Sequence, residues 1–195
     1  MEKKSYLKIP QERIGVLIGP DGGVKKRIEK AFGVTLNIDS ESGSVEIVLD
    51  VGAKDVVAIF TVQNIVKAVG RGFSPDRAQR LMDEDYDLIV IDLEEYAGRS
   101  KNALDRIRGR IIGKGGKSRD ALEELTETMI SVYGGTVAII GKPEMLEVAR
   151  EAVMMLVKGA FHKTVWNYLY AQRRRLKKER IEIWEGQPEP KTDAR

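Results

Sequence analysis

The chain has no cysteine and a single histidine, His162, among its 195 residues. Without cysteine it has neither disulfides nor a thiol nucleophile, and one histidine excludes a metal site built from several imidazoles. No apolar run approaches the roughly 18–20 residues of a membrane-spanning helix, and no signal-peptide core opens the sequence. These absences predict a soluble cytoplasmic protein with no metal or other cofactor. They also remove most candidates for a catalytic nucleophile and its base.

The overall charge is nearly balanced, since 33 Lys and Arg residues stand against 30 Asp and Glu residues, and the formal net charge is +3. The positions of the charges are therefore more informative than their sum. A basic run at 173–180 fits either a phosphate-binding helix end or a solvated terminus whose cations complement the helix dipole. The acidic run at 83–87 is typical of a solvated surface. His162, near a predicted helix end, is expected to pack or to cap.

An internal repeat organises the chain, because two stretches align without a gap at a spacing of 94 residues. Their glycine and apolar positions agree, while most charged positions do not, as expected for a duplicated fold with diverged surfaces. The aligned pairs are Gly15 with Gly109, 17–19 with 111–113, Gly22 with Gly116, Ile28 with Leu122, Leu36 with Ile130, and Ile38 with Val132.

Each copy has the same predicted order of elements, β-α-α-β-β-α, and together they predict an α+β fold of two small units. The first unit is predicted to contain strands at 6–9, 34–38 and 45–49 and helices at 24–31 and 53–69. The second is predicted to contain strands at 88–93, 129–132 and 136–140, a helix at 117–126, and a last helix after Pro143. The boundaries are 1–72 for the first unit, 73–86 for the connector, 87–172 for the second unit, and 173–195 for a basic helix end and tail.

The connector is predicted to be a short helix, because Ser74 or Asp76 can cap it and Pro75 suits its first turn. A helical connector predicts two units that pack together rather than hang on a flexible linker. The last residues, 185–195, have the composition of a disordered tail.

Both repeats contain a glycine loop between two helices. The segment 113–118 ends in Gly-Lys-Ser like a Walker loop, but Ile111 stands where that motif needs glycine. A dinucleotide fingerprint fails as well, because its last glycine would be Ser118. The remaining match is the Gly-x-x-Gly loop of KH domains, which clamps the backbone of four nucleotides.

The loop chemistry suits single-stranded RNA, because glycines admit phosphates close to backbone N–H groups at a helix N-terminus. Basic neighbours add phosphate contacts, and apolar residues beside the loop would form a floor for bases. The predicted RNA-binding residues of the first unit are Gly19, Pro20, Asp21, Gly22, Lys25 and Lys26. Those of the second are Arg108, Arg110, Ile112, Gly113, Lys114, Gly115, Gly116, Lys117, Arg119 and Ile130, with Leu122 and Val132 beside them in the floor.

Both units resemble type I KH domains, and nearly the whole chain resembles one family of small-subunit rRNA processing factors, the partner of the Nob endonuclease. Three stretches carry this resemblance: GFSPDRAQRLMDEDYDLIVIDL from Gly72, RIRGRIIGKGGKSRDALEELTET from Arg106, and GAFHKTVWNYLYAQRRRLK from Gly159. Because both glycine loops are present, the archaeal form of the family fits better than the eukaryotic form.

The resemblance implies a monomeric ribosome assembly factor that binds the 3′ region of small-subunit precursor rRNA and works with a PIN-type endonuclease and other assembly proteins. One alternative is a general RNA-decay or translation-linked KH adaptor. A catalytic RNA-processing enzyme is the other, but it would need clustered carboxylates, and the only dense run lies in the connector. We therefore expect no enzymatic activity.

Overall fold

The computed structural model describes residues 4–49, 57–98 and 100–185, and it confirms two α+β units. The first unit comprises β1 (Lys4–Lys8), α1 (Gln11–Ile18), α2 (Gly23–Phe32), β2 (Val34–Asp39), β3 (Ser44–Leu49) and α3 (Val57–Gly70). The connector contains α4 (Pro75–Ala78). The second unit comprises β4 (Asp87–Asp92), α5 (Glu94–Ala97), α6 (Lys101–Ile112), α7 (Lys117–Thr126), β5 (Met129–Tyr133), β6 (Thr136–Gly141), α8 (Pro143–Val157) and α9 (His162–Glu185).

Each unit has one antiparallel three-stranded sheet whose last strand in sequence lies in the middle. The strand orders are β1-β3-β2 and β4-β6-β5. In the second sheet, Ile139 of β6 pairs with Ile89 on one side and Ile130 on the other. The strands β2 and β5 are therefore equivalent edge strands, and each packs against the helix that follows a glycine loop.

Two helices differ from the sequence prediction. The helix predicted at 53–69 ends at Gly70, and its described part begins at Val57, so that 53–56 lie outside the described residues. The single last helix predicted after Pro143 is in fact two helices, α8 and α9. Glu185, the first residue of the predicted tail, still belongs to α9, and residues 186–195 lie outside the described part of the chain.

A glycine turn separates α8 from α9. Gly159 has φ +95°, its N–H binds the carbonyl of Leu156 at 3.1 Å, and the N–H of Ala160 binds the carbonyl of Met155 at 2.9 Å. This pair of bonds is the Schellman motif, which ends a helix at a residue with left-handed backbone. Gly159 was the sequence signal for the break, since glycine just after an apolar helical stretch marks a C-terminus.

The first unit covers one face of the second unit's sheet. On β6, Val137 and Ile139 belong to the core of the second unit, whereas Ala138 and Ile140 join the core of the first unit. Leu88 of β4 packs against the same first-unit core. All six residues of β6 are buried, which explains its unbroken apolar run, because a strand covered on both faces has no solvent side.

Arg13 on α1 joins the two units through polar contacts. Its guanidinium donates to the carbonyls of Val69 and Phe73 at 2.8 and 2.6 Å, and it lies 5.6 Å from the ring centroid of Tyr133 on β5. The Tyr133 hydroxyl donates to Oε1 of Glu12 at 2.6 Å. This hydrogen bond raises the pKa of Tyr133 and lowers the pKa of Glu12.

The N-terminal part of the connector is held against the second unit. The Ser74 hydroxyl accepts from the Arg77 N–H at 3.3 Å and so caps α4, as predicted. Ser131 on β5 donates to the carbonyl of Arg71 at 2.9 Å. Gly72, with φ +97°, lies so close to β5 that a Cβ would stand 2.7 Å from the Ser131 oxygen. The two units therefore form one packed body.

Candidate nucleic-acid interface

The two glycine loops have the same backbone conformation. Gly19 and Gly113 have φ and ψ of 72° and 176°, and 73° and 176°. Two residues further on, Asp21 has φ 50° and ψ 26°, and Gly115 has φ 61° and ψ 25°. The duplicated sequence thus produces a duplicated loop. Asp21 adopts a left-handed backbone that glycine takes at less cost, so the second loop is the less strained of the two.

The first glycine of each loop is required by space as well as by conformation. A Cβ on Gly19 would stand 2.4 Å from a Val24 methyl group, and a Cβ on Gly113 would stand 2.6 Å from the Ser118 Cβ. Real Cβ atoms do not approach so closely, and both glycines have positive φ. These two residues therefore hold each loop tightly against the first turn of the next helix.

Each loop leads into a helix whose N-terminus has no side-chain cap. The N-cap residues of α2 and α7 are Gly22 and Gly116, both in the left-handed conformation and neither able to accept a hydrogen bond with a side chain. The first N–H groups of a helix have no partner within the helix, and the helix dipole favours an anion there. Both loops thus offer backbone donors to a phosphate.

The helix before each loop presents an open surface. Gly15 on α1 and Gly109 on α6 occupy equivalent positions, are exposed, and have no atom within 4 Å of a Cβ added to them. Glycine inside a helix costs about 0.5–1 kcal/mol relative to alanine. Since neither position is crowded within the protein, the missing side chain leaves room for a ligand backbone to approach the helix.

Three basic side chains that are predicted to bind RNA lie in or directly after the second loop. Lys114 lies in the loop and Lys117 begins α7, and both are exposed. The Arg119 guanidinium is 3.1 Å from Oδ1 of Asp120, while its Nε is buried without a hydrogen-bond partner among the described residues. The arrangement provides exposed positive charge next to the uncapped helix start.

Two more arginines predicted to bind RNA, Arg108 and Arg110, make contacts within the protein. Arg110 donates to the backbone carbonyls of Leu156 and Ala160, so its guanidinium holds α6 against the turn between α8 and α9. Both contacts lie within the protein, so its role as a phosphate ligand stays a prediction. Arg108 is 3.6 Å from Asp105 on its own helix and remains partly exposed.

The basic side chains beside the first loop make more contacts within the protein than those of the second loop. The Lys26 ammonium donates to the carbonyl of Asp21 at 3.2 Å and so lies at the loop itself. The Lys25 ammonium is 3.7 Å from the Glu29 carboxylate, so it forms an ion pair one turn further along α2. Pro20 and Asp21 are exposed in the loop between Gly19 and Gly22. The first loop thus combines one nearby cation with an exposed carboxylate.

The predicted floor for bases is mostly part of the core. Ile130 is 1% exposed and Leu122 is fully buried, and both belong to the second hydrophobic core. A base contact for Ile130 is therefore not supported, since its side chain faces inward from β5. Ile112 and Val132 are half-buried and remain available at the surface.

A pair of glutamates, which the sequence analysis overlooked, secures both edge strands. Glu29 Oε1 accepts from the Leu36 N–H at 2.8 Å, and Glu123 Oε1 accepts from the Ile130 N–H at 2.5 Å. Glu123 also lies 2.6 Å from the guanidinium of Arg77 in the connector. The signal was available in the repeat, because residues 29 and 123 differ by the same 94 positions as the glycine loops.

The connector forms one wall of a groove on the second unit. Between α7 and β5 lies a cavity of about 350 Å³, which opens to solvent. It is lined by Arg119, by β5 residues 130–133, and by connector residues 72–74 and 77. A nucleic-acid strand bound at the second glycine loop would therefore run beside the connector as well as beside β5.

His162 and the basic run are also placed by the structure. His162 is the first residue of α9, and its Nε2 is 2.9 Å from the Arg110 carbonyl, so it packs against the end of α6 as expected for a capping role. In the basic run, Arg173 is 3.8 Å from Glu127 and the neighbouring Arg174 is exposed.

The carboxylates of the acidic run in the connector are exposed to solvent. Asp85 is 3.2 Å from the Lys142 ammonium, and Tyr86 lies between Lys142 and Arg80. Within the described residues, no group of three or more His, Asp or Glu side chains could hold a metal ion. In the same part of the chain, no helix is both long and apolar enough to cross a membrane.

Family models match both units. Residues 4–68 match the KH domain, and residues 87–174 match the second KH domain of PNO1, described as a eukaryotic type KH-domain of type I. The fold, the paired glycine loops and these matches define a protein with two type I KH domains in tandem.

Relatives extend the match over most of the chain. The KH domain-containing protein MJ0443 of Methanocaldococcus jannaschii is 48% identical over 91% of this chain and 78% of its own length. The crystal structure of Dim2p from Pyrococcus horikoshii superposes with a TM-score of 0.81 at 44% identity, covering 87% of this chain and 99% of that one. A chain of the a/eIF2α–aDim2p–rRNA complex from the same organism gives a TM-score of 0.84 at 43% identity, over 89% and 96%.

The chain belongs to the PNO1/Dim2 family of KH-domain proteins. Among its eukaryotic members, the pre-rRNA-processing protein PNO1 of Chaetomium thermophilum is 36% identical over 58% of this chain and 45% of its own length. The chain thus spans about half the length of the eukaryotic relatives that it matches.

Proposed function

We propose that this protein binds single-stranded RNA through its two glycine loops, and that the RNA is the 3′ region of small-subunit precursor rRNA. The observation that carries the proposal is the pair of loops with one backbone conformation, each leading into an uncapped helix N-terminus. Backbone donors at such a site bind phosphates without reading sequence. The recognition of particular bases would then fall to the groove beside β5.

The family supports a role in ribosome assembly. Its eukaryotic members are described as pre-rRNA-processing or RNA-binding proteins, and the P. horikoshii Dim2p structure contains rRNA. We infer that the protein acts on small-subunit precursors in the cytoplasm, together with a PIN-type endonuclease and other assembly proteins. These protein partners follow from the family resemblance, and a pull-down from cell extract should recover them.

The second unit is expected to dominate affinity. Its loop has Lys114 and Gly115 where the first loop has Pro20 and Asp21, so it adds a cation and a backbone donor that the first loop lacks. A carboxylate at position 21 repels the phosphate that the loop should bind. Each charge-assisted phosphate contact contributes about 1.5–3 kcal/mol, enough to separate the two loops clearly in a binding assay.

The test is a pair of matched loop variants. Lys114→Asp with Gly115→Asp makes the second loop Gly-Asp-Asp-Gly, and Pro20→Asp does the same to the first. The backbone tolerates aspartate at position 115, because Asp21 has nearly the same φ and ψ and nothing lies within 4 Å of a Cβ there. With folding checked by circular dichroism, the second-loop variant should lose at least about tenfold more affinity for single-stranded RNA. Equal losses, or a larger loss in the first-loop variant, would contradict the ranking.

A translation-linked KH adaptor is the second candidate, because the related P. horikoshii complex combines Dim2p with a/eIF2α as well as rRNA. Crosslinking the protein to cellular RNA and sequencing the bound fragments separates the two functions. Reads at the 3′ region of small-subunit precursor rRNA support assembly, whereas reads spread over messenger RNA support an adaptor. A nuclease assay with added divalent metal tests the enzymatic alternative in the same preparation.

A further inference from the structure

We propose that Phe161 is a stacking platform for a base of the RNA strand that leaves the second glycine loop. The inference rests on the proposed function and adds a contact outside the KH loop and groove. Phe161 is 80% exposed, the highest value among the large hydrophobic side chains of the described residues. It lies in the short turn between α8 and α9 and belongs to neither hydrophobic core.

The turn that carries Phe161 is held against the end of α6, the helix that leads into the second loop. Arg110, in the last turn of α6, donates to the carbonyl of Ala160, the residue just before Phe161. In return, Nε2 of His162, the residue just after it, lies 2.9 Å from the Arg110 carbonyl. Arg110 is three residues before Gly113, which is about 4.5 Å along the helix axis. The residues on both sides of Phe161 are therefore tied to the helix that leads into the loop, and its ring projects from that turn into solvent.

The surroundings of Phe161 favour a polyanion. Lys158 and Lys163 flank it in the chain, and Arg106 lies one turn before Arg110 on α6; all three are exposed. Exposed Gly109 keeps the neighbouring surface of α6 open. Proteins hold single strands with exposed aromatic rings set among cations, because any base can stack on such a ring. The partner that fits is therefore a nucleobase of a strand whose phosphates follow these cations.

The test uses Phe161→Leu, which removes the aromatic face but keeps an apolar side chain, and Phe161→Trp, which keeps the face. Phe60→Leu is the control, because Phe60 is 59% exposed on α3 of the first unit. Two RNAs are titrated: a tetranucleotide that fills the loop alone, and a dodecanucleotide with 2-aminopurine at successive positions. We expect Phe161→Leu to weaken binding of the dodecanucleotide about tenfold and that of the tetranucleotide little. Phe161→Trp and Phe60→Leu should match the unchanged protein.

Stacking should also quench 2-aminopurine at one position in the unchanged protein and in Phe161→Trp, but not in Phe161→Leu. If the Lys114→Asp and Gly115→Asp variant loses RNA binding while Phe161→Leu keeps it, this inference fails and the proposed function stands. If the loop variant keeps full affinity, the proposed function itself fails. Equal weakening of the short and the long RNA by Phe161→Leu would indicate a distorted α6 and would also overturn the stacking role.

Discussion

The carboxylate of Glu123 connects α7, β5 and the connector, so its removal tests how the two units are joined. Its Oε1 accepts from the Ile130 N–H at 2.5 Å and lies 2.6 Å from the Arg77 guanidinium. Glu123→Ala leaves that N–H without its acceptor and frees Arg77. A hydrogen bond to a charged acceptor contributes about 1.5–3 kcal/mol. The ion pair adds roughly 0.5–1 kcal/mol after solvent screening, because the Arg77 side chain is 40% exposed.

Glu29→Ala is the matched control, because Glu29 binds the Leu36 N–H at 2.8 Å but pairs with Lys25 of its own helix. In urea denaturation, we expect Glu123→Ala to lower the free energy of unfolding by about 2–4 kcal/mol. This loss should exceed that of Glu29→Ala, because the i,i+4 pair with Lys25 that Glu29→Ala removes contributes only about 0.3–0.5 kcal/mol. A double-mutant cycle with Arg77→Ala should return a coupling energy of roughly 0.5–1 kcal/mol. Zero coupling, or a negligible loss for Glu123→Ala, would refute the reasoning.

Three further predictions concern charge and rigidity. RNA affinity should fall steeply with salt, with a log–log slope of several units at about 0.7 per neutralised phosphate; a flat response would mean that the basic residues do not face RNA. Spin labels at Lys30 and Lys158 should report one narrow distance distribution, because a shared core fixes the units; a broad one would show independent domains. Tyr133→Phe should lower the unfolding temperature at neutral pH. The hydrogen bond lowers the pKa of Glu12 in the folded protein, so its contribution to stability is present above the ordinary pKa of 4.5 and is lost as the pH falls through the lowered value. The difference in unfolding temperature between Tyr133→Phe and the unchanged protein should therefore fade in acid. A difference that persists in strong acid would contradict this linkage.

The repeat was the strongest sequence signal, and it predicted the two units because glycine and apolar spacing reflect local backbone needs. Helix α7 occupies 117–126 as predicted, and the strand bounds differ by only a residue or two. The first glycine of each loop was identifiable for the same reason, since the loop requires positive φ there. The break at Gly159 carried an equally local signal, although a single last helix was predicted there.

Side-chain roles were harder to predict. Arg110 lies three residues before the second loop and was expected to bind phosphate, but the nearest acceptors after folding are the carbonyls of Leu156 and Ala160, distant in sequence. Ile130 alternates on β5 with residues that remain accessible, and only the packing of α7 and the sheet shows that it faces the core. The direction in which a side chain points from its helix or strand therefore depended on packing neighbours, which the spacing of residues in the sequence does not reveal.

By itself, the sequence determined the class of fold, the duplicated loops and the difference in charge between them, because each depends on residues within one short segment. The tertiary structure alone decided that the first unit covers the second unit's sheet and that the connector lines the second groove. These features arise from contacts such as Ser131 with Arg71 and Tyr133 with Glu12, which join residues 60 and 121 positions apart. Such contacts form only when the whole chain is packed, since the burial that stabilises them comes from both units at once.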